Sequence, residues 1–257
     1  MKVIRVDLPS EAKQIEIHPL ADLHIGDKCC DFKLIRNEIE YIKNTPDCYC
    51  ILDGDLMDTA IASSIGDTYS ASIQPMEQLA KCVEIFSPLK DKILAVLPGN
   101  HENRIYKNDG IDMTQLMCNQ LGIPEKYSPT TAVIYVRFGK YREHKDRKMC
   151  YSIYATHGTG GGRREGGKIQ RLADLASIID TDVYIMAHVH QPASLRNTFF
   201  RSDPQNSTVQ KTEHLFVNTA AWLEYGGYGD KQGYKPSSNI NPIIYLNGEM
   251  KLARALI

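Results

Sequence analysis

HGTGGGRREGGKIQR, residues 157–171, admits two incompatible readings. Taken from its glycines and lysine, Gly162, Gly167 and Lys168 meet the G-x-x-x-x-G-K portion of a phosphate-cradling loop, set between a strand-like run and a helix-like one. Taken from its first residue, it delivers His157 to the carboxyl end of a strand, where ligands of open α/β sheets collect. The residue after the lysine arbitrates. A working phosphate loop needs Ser or Thr there to hold magnesium, and this chain has Ile169. No spare acidic strand end compensates, so the nucleotide-hydrolysing reading is the weaker one. The glycines then serve to let the chain pass close to whatever His157 binds. Arg163, Arg164 and Lys168 become candidates for a phosphate contact, with a solvated loop as the alternative.

On either side the chain alternates strand and helix signals. QIEIHPLADLHIG alternates apolar residues up to Leu20 and then turns polar, and Phe32, Ile35, Ile39 and Ile42 predict a helix over 31–44. CYCIL is a short buried strand ending in DGD, and DTAIASSIGDTYSASIQ (58–74) is a long small-residue connection of the kind that covers a site. Pro75 opens a helix to Phe86, KILAVL is a strand ended by PGN, and a helix over 111–121 stops at Gly122. This rhythm suggests parallel β-α-β units. Farther on, AVIYVRF and MCYSIYATHG are strands joined by GKYREHKDRK (139–148), either a basic contact surface or an exposed hairpin tip. A helix over 168–179 precedes strands in VYIMAHVH and EHLFVNTAA. PIIYL and EMKLARAL flank Asn247-Gly248, a strong hairpin signal.

The 257 residues suit one α/β domain over 1–257, and 42% hydrophobic with 24% charged residues is ordinary globular usage. A net charge of −1 predicts no general attraction to nucleic acid or anionic membrane. No window approaches the roughly 18 apolar residues of a membrane span, and the N-terminus lacks a signal-peptide core, so a soluble cytoplasmic protein without a membrane partner is expected. Seven cysteines without a C-x-x-C pair read as reduced thiols.

Five predicted strand ends carry metal-ligand residue types: Asp22 and His24 in DLH; Asp53, Asp55 and Asp58 in DGDLMD; Asn100, His101 and Glu102 in GNHE; His157 in THG; His188 and His190 in AHVH. Each group alone is weak, but all stop strands at the position where α/β sheets bind ligands. Five of the eight histidines fall in these groups, and His18, His144 and His214, without comparable company, are expected in structural or exposed roles. Carboxylate, amide-oxygen and imidazole donors without a thiolate suit a divalent Mn, Fe, Co, Ni or Zn ion in an open site.

The order D-x-H, G-D-x-x-D, G-N-H-E, H and A-H-x-H over residues 22–190 resembles the calcineurin-like metallophosphoesterase superfamily. Ala187 departs from that family's glycine, and the central motif lacks the arginine typical of protein serine/threonine phosphatases. The resemblance implies a two-sheet αββα sandwich and two divalent ions, manganese first with iron, zinc, nickel or cobalt as alternatives. Asp22, His24 and His190 would hold one ion, Asn100, His157 and His188 the other, with Asp55 bridging. A hydroxide between the ions would attack a phosphate ester in line, and His101 would protonate the leaving oxygen. Arg104 is either a phosphoryl contact or a surface ion pair. Asp53 is either a ligand-side carboxylate or a plain strand end, and Asp58 and Glu102 are candidates for bonding to ligating groups.

ADLHIGD and LDGDLMD look more like the nuclease and phosphodiesterase branches than the phosphatase one. A phosphodiester or nucleotide-type substrate, nucleic acid included, is therefore expected, with a phosphomonoester or phosphoprotein as the alternative. A retromer subunit keeps this fold without activity, so a binding module is the rival from another class. The intact ligand set and His101 argue against it. WLEYGGYGDKQGY (222–234) is either pocket rim or aromatic core.

Overall fold

A computed structural model describes residues 1–61, 71–142, 147–162 and 164–257. His144, Arg163, the hairpin tip at 143–146 and most of the 58–74 connection therefore lie outside the described residues. The strands are β1 (Lys2–Asp7), β2 (Gln14–Leu20), β3 (Cys48–Asp53), β4 (Ile93–Leu97), β5 (Ala132–Phe138), β6 (Met149–Thr156), β7 (Val183–Met186), β8 (Ala193–Asp203), β9 (Thr208–Asn218), β10 (Ile243–Asn247) and β11 (Ala253–Leu256). The helices are α1 (Phe32–Asn44), α2 (Pro75–Phe86), α3 (Glu102–Asp109), α4 (Met113–Leu121), α5 (Glu165–Asp174) and the short α6 (Gly227–Lys231).

The strands form two mixed sheets, one ordered β1-β5-β6-β7-β9-β8 and the other β11-β10-β2-β3-β4. In the first, β6, β7 and β9 are mutually parallel; in the second, β2, β3 and β4 are. Apolar residues of the facing surfaces, among them Ile15, Ile17, Ile51, Ile134, Ile153, Ile185 and Val217, make the central core. Helices α1, α2 and α4 close the outer face of the five-stranded sheet around Ile39, Phe86 and Met117. Helix α5 covers the other sheet through Leu172 against Tyr184 and Phe216. This is the helix-flanked two-sheet sandwich that the resemblance implied.

Local chemistry explains the elements. Every residue of β3 is buried, because a central parallel strand has covered faces on both sides. Asp31 caps α1 by accepting from the Leu34 amide at 2.9 Å, and Ile35, Ile39 and Ile42 form its buried stripe. Helix α4 ends where Gly122 turns left-handed at φ 73°.

Several elements differ from expectation: α3 lies where no helix is expected, and α4 starts at Met113 rather than 111. Helix α5 starts at Glu165 rather than 168 and passes into a 3₁₀ turn at Leu175–Ser177. Between β7 and β9 in sequence comes β8, which pairs outside β9 as an edge strand with mostly exposed side chains and so without an apolar rhythm. The β10–β11 hairpin forms, but the last pair in its ladder is Leu246 with Ala253 and Asn247 pairs its amide with the Leu252 carbonyl. The Asn247 side chain caps the wider loop by accepting from the Glu249 and Met250 amides. Among the described residues no helix is long and apolar enough to cross a membrane.

Candidate metal centre

The carboxyl ends of β2, β3 and β4 in one sheet and of β6 and β7 in the other open on the same edge of the sandwich. Past β2 and β3 the backbones stay paired: the Asp22 amide donates to the Gly54 carbonyl and the His24 amide to the Asp55 carbonyl, both at 3.0 Å. Across the layers, the His188 amide donates to Asp22 Oδ2 at 3.0 Å. Asp22, His24, Asp55, His188 and His190 all take left-handed backbone angles, with φ between 47° and 70°. Such a conformation costs a residue with a side chain about 1–3 kcal/mol, and that strain is concentrated on the residues that converge here.

They converge as two clusters. In one, His190 Nε2 lies 3.2 Å from both His24 Nε2 and Asp22 Oδ1, and His24 Nε2 is 4.0 Å from the same Asp22 oxygen. In the other, His157 Nε2 lies 3.1 Å from Asp55 Oδ2 and 3.2 Å from Asn100 Oδ1, and His188 offers a ring nitrogen to the Asp55–His157 group. Asp22, Asp55, His24 and His157 are buried, whereas Asn100, His188 and His190 reach solvent, so the clusters form a floor with an open mouth.

The donor chemistry fits divalent ions. Ligand bonds of about 2.0–2.2 Å to a metal put neighbouring donor atoms roughly 3 Å apart. Two facing imidazole nitrogens and the buried Asp22 Oδ1, which has no hydrogen bond, are relieved when a cation sits among them. The charges say the same. Burial would raise both carboxyl pKa values, but His190 draws Asp22 below the carboxylate range and His157 draws Asp55 well below it. His157 is raised well above its ordinary value despite burial, mainly by Asp55, while burial and the His101 charge push His24 down to about 3. A proton on His157 balances the charge that a cation would otherwise balance.

Around the clusters, His157 is oriented by its Nδ1, which donates to the Asp53 carbonyl at 2.7 Å. The Asp53 carboxylate itself is buried without a hydrogen bond, and burial pushes its pKa well up. Glu102 is buried and accepts three backbone amides, from Gly99 (2.8 Å), Met57 (2.9 Å) and Asp55 (3.1 Å), tying the loops after β3 and β4 together. Those loops touch: a Cβ on Gly99 would lie 2.1 Å from Asp55 Oδ1, and one on Gly54 would lie 2.5 Å from the Gly99 amide nitrogen. Sequence reasoning missed both glycines, since only the approach of two separate loops makes them necessary.

His101 stands over the floor, its ring 4.4 Å from that of His24. Its amide donates to Asp55 Oδ1 at 2.8 Å and its Nδ1 lies 2.8 Å from the Asp58 carbonyl and 3.2 Å from Asp58 Oδ1. Asp58 is thus nearest to His101, with His24 Nδ1 farther off at 4.0 Å. Arg104 is half-buried, its guanidinium 2.9 Å from His101 Nε2. A guanidinium has only donors, so Nε2 accepts in this arrangement.

The glycine-rich loop behaves differently from its sequence reading. Gly158 packs on Met186, Gly160 on the Arg171 guanidinium, and Gly161, Gly162, Gly166 and Gly167 face open space, so none crowds the clusters. Arg171 donates to the carbonyls of Thr159 and Gly161, so this part of the loop presents acceptors where a phosphate cradle needs amide donors. Arg164 is exposed at the start of α5.

Among the other histidines, His214 is structural as expected, with ring nitrogens on the Thr181 carbonyl (2.6 Å) and the Thr212 hydroxyl (2.9 Å). His18 does have company, contrary to its sequence reading: it is fully buried beside Glu16, Glu38 and Cys48. Trp222 is core, packed behind β2 with its amide donating to the Asp22 carbonyl, whereas Tyr225 is exposed.

No family model matches the chain, and no curated protein is similar to it. Among solved structures, the chain is similar to a conserved uncharacterized protein, a predicted phosphoesterase, from Streptococcus pneumoniae TIGR4, at 14% identity and a TM-score of 0.37, over 95% of this chain and 97% of that one. It is also similar to a metallophosphoesterase from Sphaerobacter thermophilus, at 13% identity and a TM-score of 0.38, over 91% of this chain and 84% of that one. At such values neither likeness adds to what the side chains themselves say.

Proposed function

We infer that this chain is a metal-dependent phosphoric ester hydrolase. The observation that carries the reading is the pair of clusters, Asp22–His24–His190 and Asp55–His157–His188. Asp22, His24 and His190 would hold one ion and Asn100, His157 and His188 the other, with Asp55 supplying an anionic oxygen to share. Bound divalent ions supply Lewis acidity to phosphoryl oxygens and an activated water. The other work falls to side chains. Asp53 fixes the His157 tautomer, and Glu102 and the two crowded glycines hold Asp55 beside Asn100. Asp58 accepts from His101 Nδ1. Arg104 turns from His101 Nε2 to an incoming phosphoryl oxygen, which frees Nε2 to take up a proton from solvent and deliver it to the leaving oxygen.

The substrate class we favour is a phosphodiester or a nucleotide-type ester. Beside His190, whose carbonyl accepts from the Ser237 hydroxyl, is a cavity of about 140 Å³ lined by Glu165, Lys168, Gln191, Tyr234, Lys235 and Ser237. Lys235 is paired there with Glu165 at 3.0 Å, so Lys168 is the cation that suits a further phosphate of a nucleotide-type substrate. The test compares hydrolysis of bis-p-nitrophenyl and p-nitrophenyl phosphate with added manganese and after chelation. Metal-dependent diester turnover that falls selectively in Lys168→Ala supports the reading. Turnover of the monoester alone defeats the diester assignment, and turnover of neither favours a binding module.

A further inference from the structure

Far from the site just described, the amino ends of β2 and β3 carry a second set of donors. Glu16 pairs with Cys48 in the parallel ladder, and His18 lies two residues along β2. Cys48 is separated from Asp53 by the whole of β3, roughly 16 Å at about 3.3 Å per residue. Ile15 and Ile17 face the central core, so Glu16 and His18 face the other way, toward α1, which brings Glu38 and Tyr41 against them.

Four observations single this cluster out. His18 and Cys48 are fully buried. His18 Nε2 is buried without a hydrogen bond and lies 3.6 Å from Glu16 Oε2. A His18 ring nitrogen, a Glu16 oxygen and Cys48 Sγ all lie within 4.8 Å of one another. On the far side of the ring, His18 Nδ1 meets Glu38 Oε1 at 2.5 Å. A carboxylate on one imidazole nitrogen, leaving the other aimed at a thiol and a second carboxylate, is the usual support for a metal-binding histidine. Tyr41 donates to Glu16 Oε2 at 2.9 Å and steadies the third donor.

We propose that Glu16, His18 and Cys48 bind a zinc ion, separate from the catalytic edge and independent of the hydrolase reading. Tetrahedral bonds of about 2.0 Å to nitrogen and oxygen and 2.3 Å to sulfur put donor atoms roughly 3.3–3.5 Å apart, close to the 3.6 Å between His18 and Glu16. Thiolate, imidazole and carboxylate together select zinc over magnesium, calcium or manganese. Solvent fills the fourth position past Glu16, whose side chain is 20% exposed. On binding, Cys48 releases its thiol proton to water while Nδ1–H stays on Glu38. In the metal-free chain a proton competes: burial lowers the His18 pKa, but the Cys48 and Glu38 contacts outweigh it and raise it to about 9, so zinc displaces that proton too.

Cobalt(II) is the probe, because a thiolate ligand gives a sulfur-to-metal charge-transfer band that oxygen and nitrogen sites do not. The full chain should show the band, and zinc, which thiolate ligands select, should bleach it. Cys48→Ser should remove the band and one equivalent of bound cobalt while ester hydrolysis stays unchanged. Glu38→Gln should weaken the cobalt affinity reporting at this band about tenfold or more. Because Cys48 is buried, Glu16→Gln provides a variant on a partly exposed residue: a folded Glu16→Gln with undiminished band affinity overturns the proposal. So does a folded wild type with no band at saturating cobalt, or a band that survives Cys48→Ser. Loss of ester hydrolysis with the band intact counts against the hydrolase reading alone.

Discussion

Replacing Glu102 by alanine should loosen the edge that carries the two candidate clusters more than any surface change. Its carboxylate, 2% exposed, is the acceptor for three backbone amides, of Asp55, Met57 and Gly99. Truncation leaves three donors without a partner in the interior, each costing about 1–3 kcal/mol, so of a total of about 3–9 kcal/mol partial relaxation leaves about 3–5 kcal/mol. For a chain of this size about 2–4 °C accompanies each kcal/mol, and a fall of roughly 6–20 °C in Tm follows. Glu102→Gln sets a finer test. Its amide oxygen can keep the two bonds that Oε2 makes to Asp55 and Gly99, but its NH₂ then faces the Met57 amide, donor against donor, for about 1–3 kcal/mol. Urea unfolding of chelated protein reads both, as a midpoint shift at constant slope. The order wild type, Gln, Ala is required. Two variants within about 1 kcal/mol of wild type would refute the idea that this carboxylate joins the loops.

Further outcomes follow from the same geometry. His101→Ala should lower ester hydrolysis about 10²- to 10⁴-fold with metal content unchanged, measured by kinetics beside elemental analysis; undiminished turnover removes the proton-donor assignment. Asp55→Ala should lose bound metal on dialysis whereas Lys168→Ala keeps it; ATP affinity that Lys168→Ala abolishes would revive the phosphate-loop reading. Gly99→Ala places a methyl against Asp55 Oδ1 and the Asp55 amide nitrogen, so it should destabilise by at least about 1–3 kcal/mol and impair metal binding; a neutral result contradicts the crowding. In chelator, pH should matter on both sides. The raised His157 pKa gives stability that is fully present below 6.5 and lost as pH rises through the folded-state value. The lowered Asp55 pKa gives stability present above 3.8 and lost as pH falls through its own. Urea midpoints across a pH series check this, and a midpoint that climbs steadily with alkalinity opposes it.

Much of this architecture is written in local pattern. Asp31 with the Ile35, Ile39 and Ile42 stripe, Pro75 at the start of α2 and Gly122 after α4 each announce an element through a cap or a face. Strand β8 is silent because both its faces are largely exposed, and α5 opens on Gly166 and Gly167, which carry no helical signal. Strand ends likewise point to the candidate ligands, since each group is short and local. What supports them is not local. The crowding of Gly54 on Gly99, the reach of Glu102 to the Met57 amide and the company of His18 all depend on segments that meet only when strands assemble.

Each of the two clusters at the carboxyl edge draws on both layers of the sandwich. Asp22 and His24 belong to the five-stranded sheet and His190 to the six-stranded one, while Asp55 is matched with His157 and His188 from across the interface. An ion gripped by either group is therefore a rivet through the interface between the sheets. Its affinity is at the same time a clamping energy on the apolar seam, and removing it should let the two halves breathe at that end first.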